Sequence, residues 1–217
     1  MELIDARGNT AGPQPVGDVH FRHDLDMKLV EHGNNIVAEG DTIKFNGSSS
    51  YVRFVDINEA GVDYGDFVRS GTWSMTFWIK PLVDTSQEIR FLVFRQDGIG
   101  ITHITNRALN SLALTELALN LTENTWHFFT LSVDDHHWTL HTSINGLALE
   151  STYLGEWNIS SMASNRMFIG VNNDGRSGPS PWTPRWWNRY ATKVTIDNRP
   201  LTGEEATAIY NATNLAD

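Results

Sequence analysis

The segment Trp126-His127-Phe128-Phe129-Thr130-Leu131-Ser132-Val133 has period two, and this constrains the chain more than any other feature. In an extended strand His127, Phe129, Leu131 and Val133 share one face, and Trp126, Phe128, Thr130 and Ser132 share the other. The first set predicts a core. The second predicts a half-polar surface carrying two aromatic rings, although Trp126, like Trp78, reads more readily as sandwich core. Asp134-Asp135-His136-His137 follows as a polar turn, residues 138–144 run back, and Asn145-Gly146 marks a second tight turn. Runs of the same kind occur at residues 42–45, 51–55, 74–80, 89–94, 166–170 and 190–196, separated by clusters of Gly, Asn, Asp and Ser. β-Branched and aromatic residues fill them. The expected fold class is therefore all-β, an antiparallel two-sheet sandwich.

Two segments depart from this pattern. Residues 1–18 hold Gly8, Gly12, Pro13, Pro15 and Gly17 with few apolar side chains, and read as an extended N-terminal arm. The sandwich domain is expected over residues 19–217. Near the end, Thr202-Gly203-Glu204-Glu205 fits a capping box, with Thr202 as N-cap and Glu205 at the third helical position. Ala206, Ile209 and Tyr210 then share a face. So short a helix cannot stand alone and must dock on a sheet.

The 217 residues suffice for one sizeable core, and a 40% hydrophobic share with 19% charged residues is that of a globular chain. A formal charge of -10 argues against holding a phosphate backbone, so nucleic acid is not an expected partner. The chain has no cysteine, which excludes disulfides, thiol nucleophiles and thiolate metal sites. No window approaches the ~18 consecutive apolar residues of a membrane span, so no membrane partner is expected. The first fifteen residues lack the apolar stretch of a secretory signal. The N-x-[ST] matches at Asn46, Asn120, Asn158 and Asn211 are accordingly read as chance.

Several stretches, taken in order from about residue 36 to 212, resemble a laminin-G-like domain of the concanavalin A-like jelly-roll superfamily. They are IKFNGSSSYVRF, SMTFWIKP, NTWHFFTLSVDD, INGLALES, RMFIGVNN and NRPLTGEEATAIYN. The resemblance implies a concave and a convex sheet, with glycans, calcium or protein partners bound at rim loops or on the concave face. One departure is visible. Where relatives often carry Ile-Asp-Glu/Asp, this chain reads Ala191-Thr192-Lys193-Val194, without an acid.

Glycosidase chemistry needs two convergent carboxylates. The Glu-x-Asp-x-x-Glu string of laminarinase-like members of the superfamily does not occur here. Glu88 is followed two residues later by Arg90, and the Asp134-Asp135 and Glu204-Glu205 pairs are adjacent. Neighbours in a strand point to opposite faces. No catalytic residue is assigned, and a glycoside hydrolase or polysaccharide lyase is the least favoured reading. Asp134 to His137, and the looser His20, His23 and Asp24, carry metal-ligand side chains but read rather as solvated polar residues, the first string at a turn. Asn172, Asn173 and Asp174 offer oxygen ligands to Ca2+, against an ordinary turn. Calcium is the one cofactor left open.

The most unusual stretch is Pro179-Ser180-Pro181-Trp182-Thr183-Pro184-Arg185-Trp186-Trp187-Asn188-Arg189-Tyr190. Prolines stiffen a loop, indoles stack on sugar faces, and Trp and Arg dominate protein interfaces. Trp182, Arg185, Trp186, Trp187 and Arg189 are thus expected partner- or glycan-binding residues, and Trp157 could join them. The competing reading folds these rings back as a plug for one end of the sandwich. Residues 58–70 read as a crossover or a binding loop.

The expected function is that of a non-catalytic module of a phage virion surface, a capsid decoration or a tail-fibre adhesion protein. The arm would dock on neighbouring virion proteins, the chain would be a homo-oligomer, and polysaccharide is a further expected partner. The alternative is a free or cell-surface lectin-like protein, bacterial or extracellular.

Overall fold

A computed structural model describes the backbone of residues 3–4, 10–11, 22–24, 29–34, 37–39, 42–47, 51–56, 71–81, 90–96, 99–105, 108–111, 114–144, 146–158, 165–170, 188–197, 199–213 and 215. Side chains are described for residues 42–47, 71–81, 108–109, 114–144, 146–158, 170, 190–195, 197, 199–213 and 215. Along the chain the strands are β1 (Leu3–Ile4), β2 (Thr10–Ala11), β3 (Arg22–Asp24), β4 (Leu29–Asn34), β5 (Val37–Glu39), β6 (Thr42–Asn46), β7 (Tyr51–Asp56), β8 (Trp73–Pro81) and β9 (Arg90–Gln96). They continue as β10 (Ile99–Thr105), β11 (Ala108–Ser111), β12 (Leu117–Ala118), β13 (His127–Asp134), β14 (His137–Ser143), β15 (Glu150–Glu156), β16 (Asn165–Ile169) and β17 (Asn188–Asp197). One helix, α1 (Gly203–Thr213), follows.

The molecule is a mostly antiparallel β-sandwich. One sheet runs β15-β14-β13-β8-β17-β6-β5, with β3 added parallel to β17. The other runs β12-β11-β10-β9-β16-β7-β4. Within the expected arm only residues 3–4 and 10–11 are described. Leu3 and Ile4 pair with Ala11 and Thr10 in a small antiparallel ladder, and β2 lies beside β4.

Register explains the core. Phe129 pairs with Phe77, Leu131 with Met75 and Val133 with Trp73. On the other flank, Leu131 pairs with Leu140 and Val133 with Trp138. These side chains, with Ile43, Phe45, Ile79, Ala191 and Val194, are all buried. Phe77 and Phe129 stack at 5.3 Å, and Trp73 meets Trp138 edge-on at the same separation. Burying one such ring stabilises the fold by about 2–3 kcal/mol.

The opposite face of this sheet differs from expectation. Thr76, Trp78, Phe128, Thr130 and Ser132 are buried as well. Helix α1 lies over them. Its start is fixed by the reciprocal cap, in which Glu205 N–H donates to Thr202 Oγ1 (3.2 Å) and Thr202 N–H to Glu205 Oε2 (2.9 Å). Tyr210 then stacks on Trp78, and Trp78 Nε1 donates to Thr213 Oγ1 at 3.0 Å. The hydroxyls of Thr76, Thr130 and Ser132 are paired, whereas Ser74 Oγ, buried opposite Ser132, has no partner among the described residues. Thr76 and Thr130 share a hydroxyl–hydroxyl bond of 3.0 Å, and Ser132 Oγ donates to the Leu201 carbonyl. This pairing lets threonine and serine lie in a dry layer without large cost.

Turns shape the ends of the sheet. The β13–β14 hairpin closes through Asp135 and His136, both at positive φ (44° and 67°), as a two-residue loop matched to strand twist requires. In β17 the ladder slips between Thr192 and Thr195. Lys193, at φ 51°, is the extra and exposed residue, so Ala191 and Val194 are both buried. This bulge falls on the stretch that lacks an acid.

Candidate functional site

Beyond the end of α1 the outer face of the sheet that contains β8 and β13 changes character. Lys44 on β6 pairs with Tyr190 on β17, and Tyr190 pairs with Lys80 on β8. His127 is opposite Ile79, so Trp126, one residue before β13, comes level with Lys80. The segment 122–126 is tied to this place. Asn124 N–H donates to the Pro81 carbonyl at 2.9 Å, and His127 Nε2–H donates to the Thr122 carbonyl at 3.0 Å. The result is a row, Lys44–Tyr190–Lys80–Trp126, one residue per strand. Four positions on adjacent strands span about 14 Å.

Cation and ring alternate along it. Lys44 Nζ lies 5.8 Å from the Tyr190 ring centroid, and Lys80 Nζ lies 5.7 Å from that of Trp126. Both are within cation–π range. All four residues are half-exposed. The next row inward, Trp78 and Phe128, is the one that Tyr210 covers. The ring contacts of the helix thus fall on the row next to this one.

The expected binding residues are divided by the structure. Trp182, Arg185, Trp186 and Trp187 lie outside the described residues. So do the calcium candidates Asn172, Asn173 and Asp174, and residues 58–70. The backbone of Arg189 is described, opposite Pro81 and Phe45, and its side chain is not. Trp157 is at the other end of the sheet. Its ring leans on Trp138 at 6.1 Å, and its carbonyl accepts from Trp138 Nε1. Trp138 is level with Val133 and Trp73, eight residues along β8 from Pro81, or about 25 Å. Trp157 thus does not join the end at which β17 begins.

The Asp134 to His137 string forms the hairpin turn. The Gly71 carbonyl accepts from His136 N–H at 2.9 Å, and the His136 ring packs on Gly71. His137 Nδ1 bonds the Tyr153 hydroxyl at 3.0 Å. His23 and Asp24 are in β3, and His20 is outside the described residues. Among the described residues no three His, Asp or Glu side chains gather closely enough to hold a metal ion. No helix among them is long and apolar enough to cross a membrane.

One further buried polar group lies under the start of α1. His141 Nδ1 bonds Ser151 Oγ at 2.7 Å. Burial lowers its pKa below the usual 6.5, and the Leu201 carbonyl offsets part of that. Sequence reading missed the Lys44–Tyr190–Lys80–Trp126 row. Each member is an outward position in its own run, but the order of strands that aligns them is not written in any one run.

No family model and no curated protein matches the chain in sequence. Solved structures do match. The chain is similar to Trypanosoma rangeli sialidase, solved in complex with 2,3-difluoro-KDN, with TM-score 0.63 and 14% identity, over 86% of this chain and 30% of that one. It is similar to the receptor-binding domain of botulinum neurotoxin D, with TM-score 0.53 and 15% identity, over 86% of this chain and 48% of that one. It thus spans about half the length of such toxin chains. It is also similar to domain 4 of an extracellular arabinanase from Geobacillus stearothermophilus, solved with arabinotriose, with TM-score 0.53 and 18% identity, over 82% of both chains. At these identities the likeness is one of fold.

Proposed function

We propose that this chain is a non-catalytic glycan-binding module on a jelly-roll sandwich of the laminin-G-like kind. The observation that carries the reading is the half-exposed row in which the Tyr190 and Trp126 rings alternate with Lys44 and Lys80. Sugars present axial C–H groups to a flat ring, and a ring already fixed by a neighbour loses little freedom on binding. Support of a general kind comes from neighbours of the same fold that were solved with sugars bound. The non-catalytic part is supported by the two adjacent acid pairs, Asp134-Asp135 and Glu204-Glu205, among the described carboxylates. These occupy a turn and the start of a helix, where Glu205 pairs with Arg199 at 2.7 Å.

The setting we propose is a surface assembly, of which a virion decoration or tail-fibre adhesion protein is the favoured example. The cysteine-free acidic sequence suits such a setting. Deleting residues 1–18 is expected to reduce incorporation into the assembly; undiminished incorporation would count against an anchoring arm.

Glycan binding is tested by screening the full chain, Trp126→Ala and Tyr190→Ala on a glycan array. Specific hits weakened by both substitutions are expected. If no glycan binds, the reading fails; if hits persist unchanged in both variants, the row is not the site.

A further inference from the structure

We propose that Ser151 is an activated serine, a modification site that takes an acyl group from a small neutral ester. It lies apart from the Lys44–Tyr190–Lys80–Trp126 row and does not depend on the glycan reading. Among the serines whose side chains are described, Ser74, Ser132 and Ser143 are buried and Ser151 is exposed. Ser151 Oγ lies 2.7 Å from Nδ1 of His141, its partner across the β14–β15 ladder. His141 is only 4% exposed. Its Nε2 is buried and makes no hydrogen bond of good geometry among the described residues, although the Leu201 carbonyl acts on the ring. The firm bond of this imidazole is thus to an exposed hydroxyl. Burial holds it below its ordinary pKa of 6.5, so at neutral pH it is the uncharged base that a hydroxyl proton needs.

The start of α1 stands over the pair. A Cβ added at Gly203 would come within 3.2 Å of Ser151 Oγ and 3.7 Å of His141 Nδ1. The cap uses the N–H groups of Thr202 and Glu205, and Ala206 N–H reaches the Thr202 carbonyl. Those of Gly203 and Glu204 have no acceptor within the helix. They are left to receive an acyl oxygen as it gains charge, at the end of α1 whose dipole favours a negative charge. The Glu204 and Glu205 carboxylates lie in the same turn, so an anionic ester is repelled and a neutral one is not. In the step itself Ser151 Oγ attacks the acyl carbon and passes its proton to His141 Nδ1. The Oγ–C bond forms, the bond from the acyl carbon to the leaving oxygen breaks, and that oxygen takes the proton from Nδ1 and departs as an alcohol or phenol. So deeply buried an imidazole offers water little access, and the acyl group stays. The outcome is a single modification and not a turnover.

The experiment incubates the full chain with p-nitrophenyl acetate near neutral pH, follows nitrophenol release and maps acetylated peptides by mass spectrometry. One fast equivalent of nitrophenol per chain and an acetyl group on Ser151 are expected. Ser151→Ala should abolish the fast phase. His141→Asn, shown to be folded by its thermal melt, should slow acetylation of Ser151 by about 100-fold or more. In urea, where the pair is separated, Ser151 of the wild type should lose its reactivity to a similar extent, a comparison that needs no variant. Acetyl groups on lysines alone overturn the inference. So does acetylation of Ser151 at the same rate in the folded wild type as in the folded His141→Asn variant or the urea-unfolded chain.

Discussion

Tyr210 lies nearly flat on Trp78, with ring centroids 5.5 Å apart and planes 18° from parallel. The same tyrosine meets Phe128 edge-on at 5.4 Å. A short helical cap is thereby anchored by one residue that touches two strands. Tyr210→Ala should cost about 2–3 kcal/mol in urea unfolding, because two buried rings would be stripped of their aromatic cover. Tyr210→Phe keeps the stack and should stay within about 0.5 kcal/mol. A small loss for the alanine variant would mean that α1 is not sealing this face.

The reciprocal bonds between Thr202 and Glu205 satisfy two backbone N–H groups at the start of α1. Thr202→Ala is expected to destabilise by about 1 kcal/mol, and Thr202→Ser to be close to neutral. The midpoint of denaturation should move while its slope does not, because the exposed surface on unfolding is unchanged.

Gly71 sits at φ +67° with the His136 ring against it, where an added Cβ would overlap the imidazole. Gly71→Ala should therefore cost about 2 kcal/mol or more, from strain and clash together. Adding His136→Ala removes the clash and leaves the strain. The double variant should thus be less destabilised than the sum of the two singles, and strict additivity would contradict the packing described.

His141 is expected to make stability pH-dependent. Its folded pKa lies below 6.5, so the unfolded chain takes up the proton first as pH falls. The penalty is absent well above pH 6.5 and grows as pH drops from there through the lowered folded value. Unfolding free energies from pH 8 to pH 5 should decline more steeply in the wild type than in His141→Asn. Parallel curves would remove His141 as the cause.

The strands are legible because their period is strict. Phe128 to Val133 pairs on both sides in the register its alternation implies, and Thr202 caps the helix that its spacing to Glu205 predicts. The half-polar reading of Thr130 and Ser132 is correct in chemistry and incomplete in place. Alternation tells which side chains share a face, but not that a helix some seventy residues later will cover it. The candidate site is hidden for a related reason. Trp78 and Trp126 are equivalent in pattern, yet one is buried under Tyr210 and the other flanks Lys80, a difference set by where α1 ends. Composition alone does not place Trp157, whereas strand register puts it beside Trp138, level with Trp73 at the start of β8.

The tip of the β13–β14 hairpin, wedged by His136 against Gly71, is a fastening. Libraries randomised at Asp135 and His136 would select variants that restore folding before any that gain affinity. Diversity belongs instead at Lys44, Lys80, Trp126 and Tyr190, whose outward side chains can be exchanged while the backbone ladders beneath them keep their register.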